Sequence, residues 1–178
     1  TARAILVPAL QHCVESGLGG LRFGLRITQA VIMINDGELT RGMDQLETIE
    51  REGRETHSGF AELGARLTRA SVYSQIAIGE GKVSLAFIAK NARFVIGKGR
   101  KAPQIAYELL SDLSANLSPD FEGFRFGVEL RFARLLIKRK ELEEARKHIE
   151  KAIAFLQPLG DTVGMREARA LLATLDAK

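Results

Sequence analysis

The chain has 178 residues, 46% of them hydrophobic and 27% charged, with 26 basic against 22 acidic side chains and a formal net charge of +4. That balance belongs to a soluble globular protein with a core of its own: it excludes wholesale disorder, and so mild a charge of interspersed sign does not call for nucleic acid. Apolar runs such as residues 30–34 are far too short to cross a bilayer, so no membrane partner is expected. One cysteine, Cys13, excludes an internal disulfide and a Cys-rich zinc site; it reads as a small buried hydrophobe in a reducing, cytoplasmic compartment. The opening residues lack the basic start, apolar centre and cleavage site of a signal peptide, and with Thr1 in first place the sequence reads as a piece of a longer protein.

In residues 2–16, Ile5, Leu6, Ala9, Leu10 and Cys13 recur at helical spacing, and Gly17, Gly19 and Gly20 then break the pattern. A first hairpin is expected over about 21–54. Val31, Ile32 and Ile34 favour a strand by propensity, but the length of the segment favours helix. Asn35-Asp36-Gly37 makes the turn, and Leu39, Met43, Leu46 and Ile49 form the returning stripe. A second hairpin, over about 58–98, starts at Ser58 as N-cap and runs through Leu63, Leu67, Ala70, Tyr73 and Ile76 to a turn at Gly79-Glu80-Gly81. Its return helix reads as continuous from Val83 to Ile96, closed by a left-handed cap at Gly97. Pro103 opens an extra helix over about 103–115.

The third hairpin, over about 120–158, has the plainest pattern. Val128, Phe132, Leu135 and Leu136 share one helical face, and Leu142, Ala145, Ile149, Ala152 and Leu156 share another. Small Ala133 and Ala145 stand at facing points where backbones approach, and Pro158 stops the second helix. A last helix over about 161–176 is expected to cap the stack, with Arg166, Glu167 and Arg169 on its polar outer side. Such hairpins cannot bury their apolar sides alone and predict one another as neighbours.

The turns align as Gly37-Glu38-Leu39-Thr40-Arg41-Gly42, Gly81-Lys82-Val83-Ser84-Leu85-Ala86 and Lys140-Glu141-Leu142-Glu143-Glu144-Ala145, each ending on a small residue. Together with Phe132, Ala133, Leu136, Ile149, Ala152 and the nearby Pro158, this resembles the tetratricopeptide repeat pattern. Two departures stand out: the turns lie further apart than the period of about 34 residues, and Glu129 occupies a place where a bulky residue is usual. The longer spacing is similar to the elongated repeats that follow an ATPase module in bacterial multidomain regulators, among them transcription activators and adenylate cyclases. The resemblance implies an all-α single domain over 1–178, a right-handed α-solenoid of stacked antiparallel helix hairpins. It implies a non-enzymatic protein- or peptide-binding scaffold or sensor in bacterial signal transduction or transcription regulation. The alternative is a small-molecule-sensing domain that controls attached catalytic or DNA-binding domains.

In such arrays the first helices of the hairpins line a groove, and the corresponding polar positions are Asn35, Gln75, Arg134 and Lys138. They suit an acidic peptide or another carboxylate through charge-assisted hydrogen bonds, or are simply solvated. The sharpest enzyme-like feature is the G-x-G-x-x-A pattern from Gly97 to Ala102, but a dinucleotide site needs a strand before the first glycine, and helix cap plus basic loop is the better reading. His12, His57 and His148 lie far apart without ligand spacing, Cys13 has no neighbouring base, and there is no G-x-S-x-G. No catalytic residue, metal or cofactor is therefore expected. Glu143 and Lys147 read as an i, i+4 pair on a solvated face. A basic set of Arg100, Lys101, Arg131, Arg134, Lys138, Arg139 and Lys140 leaves nucleic-acid binding as a disfavoured reading.

Overall fold

A computed structural model describes residues 2–16, 18–79, 85–160 and 162–176. The described residues are helical with no strand, so the all-α expectation holds. In order come α1 (Ala2–Glu15), α2 (Gly19–Asn35), α3 (Leu39–Glu55), α4 (Gly59–Ile78), α5 (Leu85–Lys90), α6 (Ala92–Ile96), α7 (Ala102–Asn116), α8 (Arg125–Lys138), α9 (Leu142–Leu156) and α10 (Val163–Asp176). The contacts group the chain into two compact units, Thr1–Val72 with Gly81–Lys101 and Tyr73–Glu80 with Ala102–Lys178.

In the first unit, α1 packs on α2 and α2 on α3. The α2–α3 reversal is made at Gly37, whose φ is 79°. There the Glu38 N–H donates to Met33 O at 2.8 Å and the Gly37 N–H to Ile34 O at 3.0 Å, satisfying two carbonyls that the end of α2 leaves open. The chain then brings Gly42 so near α2 that a Cβ would stand 2.7 Å from the Ala30 carbonyl oxygen. Met43, Leu46 and Ile49 follow at helical spacing and are wholly buried. A second turn of the same kind closes α3 at His57, φ 55°, with the Ser58 N–H on Gly53 O at 2.8 Å. Ser58 Oγ accepts from the Ala61 N–H at 3.4 Å, the expected N-cap. At Gly53 a Cβ would meet the Glu62 backbone nitrogen at 2.5 Å, so α3 and the start of α4 nearly touch.

Two expectations in this unit are corrected. The return helix read as continuous from Val83 to Ile96 breaks at Asn91, between α5 and α6. Asn91 is buried, and its amide serves the α2–α3 turn: Oδ1 accepts from the Thr40 N–H at 3.3 Å, and Nδ2 donates to Gly37 O at 2.9 Å. An amide bound to a distant backbone competes with helix continuation at its own position. Gly97 is not left-handed either, with φ −84°, because its N–H closes back on Arg93 O and the chain passes into a 3-10 turn at Gly99–Lys101. Gly79 has the turn-like φ of 82°, but the rest of the expected turn and motif at Glu80, Gly81, Lys82, Val83 and Ser84 lies outside the described residues, as do Gly17 and position 161 of the expected last helix.

In the second unit α7 packs on α8, α8 on α9 and α9 on α10. Lys140 takes the place of Gly37 at the α8–α9 reversal: its φ is 66°, the Glu141 N–H donates to Leu136 O at 2.9 Å and the Lys140 N–H to Ile137 O at 3.0 Å. Counted from the left-handed residue, Ala133 and Ala145 correspond to Ala30 and Gly42, and Ile149 and Ala152 to Leu46 and Ile49. All four residues of the second unit are fully buried. Pro158 lies in the 3-10 turn Gln157–Leu159 that ends α9. On α10, Glu167 does not face solvent alone but pairs with Arg134 of α8. Lys147 pairs with Glu144 at 2.9 Å in place of Glu143, since three residues along the helix is as near as four.

Lysine in the left-handed region carries a steric cost of about 1–2 kcal/mol that glycine lacks, partly offset by glycine's greater freedom when unfolded. Lys140→Gly is therefore expected to stabilise the protein by about 0.5–1 kcal/mol and Gly37→Ala to destabilise it by about 1 kcal/mol, both read as shifts of the urea midpoint. Gly53→Ala pushes a methyl group into backbone that cannot swing aside, and a loss of about 1–3 kcal/mol is expected in the same measurement.

Candidate functional site

A carboxylate on an apolar stripe is costly unless other groups take its charge and lone pairs. Glu129, between Val128 and Leu130 on α8, is fully buried, and both of its oxygens are taken. Ser114 Oγ on α7 donates to Oε1 at 2.8 Å, and His148 Nδ1 on α9 lies 2.5 Å from Oε2. The Arg125 guanidinium adds a third, longer contact to Oε1 at 3.8 Å. Helices α7, α8 and α9 are thus joined at one buried charge.

That bond directs the imidazole. With Nδ1 turned to Glu129 and the ring packed on Phe132, centroids 4.5 Å apart, Nε2 points the other way, 3.7 Å from Glu144 Oε1 and too far for a hydrogen bond. Beyond it is an open pocket of about 280 Å³ whose walls include Tyr107, Ser111, Phe132, Glu144, His148 and Lys151. Tyr107 meets Phe132 edge-on, centroids 5.3 Å apart at 72°, and the Arg139 guanidinium lies 4.6 Å from the Tyr107 ring centroid. The hydrogen bond from Lys147 holds the Glu144 carboxyl below the usual range against a smaller effect of burial, and the charge of Lys147 and the nearness of His148 and Lys151 act in the same direction. Chemically the pocket offers an aromatic wall, a hydroxyl, an ammonium and a fixed imidazole nitrogen. It is not a nucleophilic triad, because Ser114 bonds to the carboxylate and not to the histidine.

The four groove positions fall elsewhere. Asn35 is exposed at the end of α2, in the first unit; Gln75 is exposed on α4, in the second. Arg134 is half-buried and paired with Glu167, and Lys138 is exposed one helical turn further along α8. None of the four lines the pocket. His12 and His57 are exposed, as separate histidines would be, but His148 is a buried partner. The missed signal was Glu129 on the inner face, together with His148 on the side of α9 that carries Ala145, Ile149 and Ala152. At Gly97–Ala102 the helix α6 stands where a dinucleotide site needs a strand, and Lys98 there binds both oxygens of Glu47, at 2.6 and 2.8 Å. Among the described residues no His, Cys, Asp or Glu group could hold a metal ion, and no helix is long and apolar enough to cross a membrane.

His148→Leu strands a buried carboxylate and is expected to cost about 3–5 kcal/mol, whereas Glu129→Leu with His148→Leu together recovers most of that loss. Urea unfolding of the two single variants and the double variant gives the coupling directly.

Comparison of the chain with protein-family models, curated proteins and solved structures finds no match.

Proposed function

We propose that this chain is a non-enzymatic protein- or peptide-binding scaffold or sensor, a tetratricopeptide-like right-handed solenoid of stacked antiparallel hairpins serving a bacterial regulatory protein in the cytoplasm. The observation that supports the reading is the hairpin made twice on one plan: a left-handed reversal at Gly37 and at Lys140, followed by a small buried residue at Gly42 and at Ala145. Repeated hairpins of this build present their first helices side by side, and α8 offers Lys138 as a solvent-facing cation there. Arg134 contributes less free charge, since Glu167 already holds it. The partner is an acidic peptide or an acidic segment of a protein.

Fluorescence anisotropy with a library of acidic peptides tests this. Saturable binding is expected, weakened by salt and reduced about fivefold by Lys138→Glu, the loss of one exposed charge contact. Absence of any binding tighter than about 1 mM, some 4 kcal/mol, counts against the reading.

A second reading, a small-molecule sensor controlling attached catalytic or DNA-binding domains, is favoured by the open pocket with its unbonded imidazole nitrogen. Saturable thermal stabilisation by a low-molecular-weight compound distinguishes it from the peptide module, because selective binding to the native state raises apparent stability.

A further inference from the structure

We propose that the pocket between α7, α8 and α9 binds a small carboxylic acid with an aromatic or branched apolar body, an inference that rests on the sensor reading and names its ligand class. His148 is buried and its Nδ1 is committed to Glu129, which leaves Nε2 as the one ring nitrogen facing the pocket without a hydrogen-bond partner. When the ring is protonated, Nε2–H donates, and a carboxylate is the acceptor that suits it best. Lys151, exposed on the same face of α9 three residues on, makes no hydrogen bond or ion pair among the described residues.

The acids already present do not fill that role. Glu129 is saturated by Ser114 and His148, and Glu144 is engaged by Lys147 at 2.9 Å. The Arg139 guanidinium lies against Tyr107 but is itself held by Glu141, so the unpaired cation at the pocket is Lys151. Its ammonium attracts an acid and repels an amine. One carboxylate oxygen accepts a hydrogen bond from His148 Nε2–H, the other accepts one from the Lys151 ammonium, and the body of the ligand lies against Phe132 and Tyr107. At about 280 Å³ the pocket lies just under the roughly 300–1,000 Å³ of drug-sized sites and accepts one group about the size of an amino acid.

The test is isothermal titration of the full chain with three matched probes: phenylpropionate, its amide and the corresponding amine, alongside a thermal-shift screen of chemically varied small molecules. Phenylpropionate is expected to bind saturably and at least about tenfold more tightly than the amide or the amine, one charge-assisted hydrogen bond's worth of preference. Lys151→Glu, at an exposed position, is expected to abolish that binding with an unchanged melting temperature. In the protein's proton spectrum, the His148 ring signals are expected to move with phenylpropionate and not with the amide. Equal binding of acid and amide, or acid binding that Lys151→Glu leaves intact, overturns the proposal. If the screen finds only neutral or cationic compounds, the carboxylate inference falls while the sensor reading stands; if nothing stabilises the protein, both fall.

Discussion

The constraint on which the hairpins depend is the reversal of a helix within three residues. A single residue in the left-handed region turns the chain, and the N–H groups of that residue and the next return to the helix just ended. Gly37, His57 and Lys140 all make this turn, with the bond from the following residue at 2.8, 2.8 and 2.9 Å. A reversal this tight sets where the next helix runs, so the spacing between helices is settled by side-chain size a few residues later. At Gly42 the space is so small that a methyl group meets the Ala30 carbonyl; at Ala145 a methyl fits and is fully buried. One backbone device thus serves glycine and alanine, provided the facing residue, Ala30 or Ala133, is also small.

The second hairpin element of consequence is a polar one. A buried glutamate demands partners, and Ser114 and His148 arrive from the helices before and after its own. An apolar residue at 129 would pack as well and leave the imidazole without a fixed orientation; the carboxylate sets Nδ1 and by doing so aims Nε2. The departure from the repeat pattern and the pocket are therefore one feature. The bulky residue usual at this place would remove the reason for His148 to be buried.

Periodicity made most of the helices legible, because stripes such as Leu39, Met43, Leu46 and Ile49 reflect only which side faces the core. The turn at Lys140 was legible by alignment with Gly37, even though lysine has no preference for that backbone. Asn91 was not: its break in the helix is caused by bonds to Thr40 and Gly37, some fifty residues away in sequence, and the local pattern of Leu85 to Ile96 carries no trace of them. The pocket was half legible. Glu129 was visibly out of place, but that His148 answers it depends on the register of α8 against α9, which the turn at Lys140 sets.

The groove positions differ in a way that spacing does not show. Exposed polar residues on a helix are alike in sequence, and nothing in the spacing of Arg134 and Lys138 shows that a glutamate on α10 claims the first and leaves the second to solvent. Free charge in a helical protein is what remains after such pairings, so it must be sought among residues whose neighbours are already saturated. By that criterion the described residues of the second unit leave unpaired cations at Lys138 on α8, at Lys140 in the turn after it, at Lys151 on α9 and at Arg169 on α10. Of these, Lys151 stands beside an aromatic wall and an oriented imidazole, and the proposed carboxylate site rests on that combination.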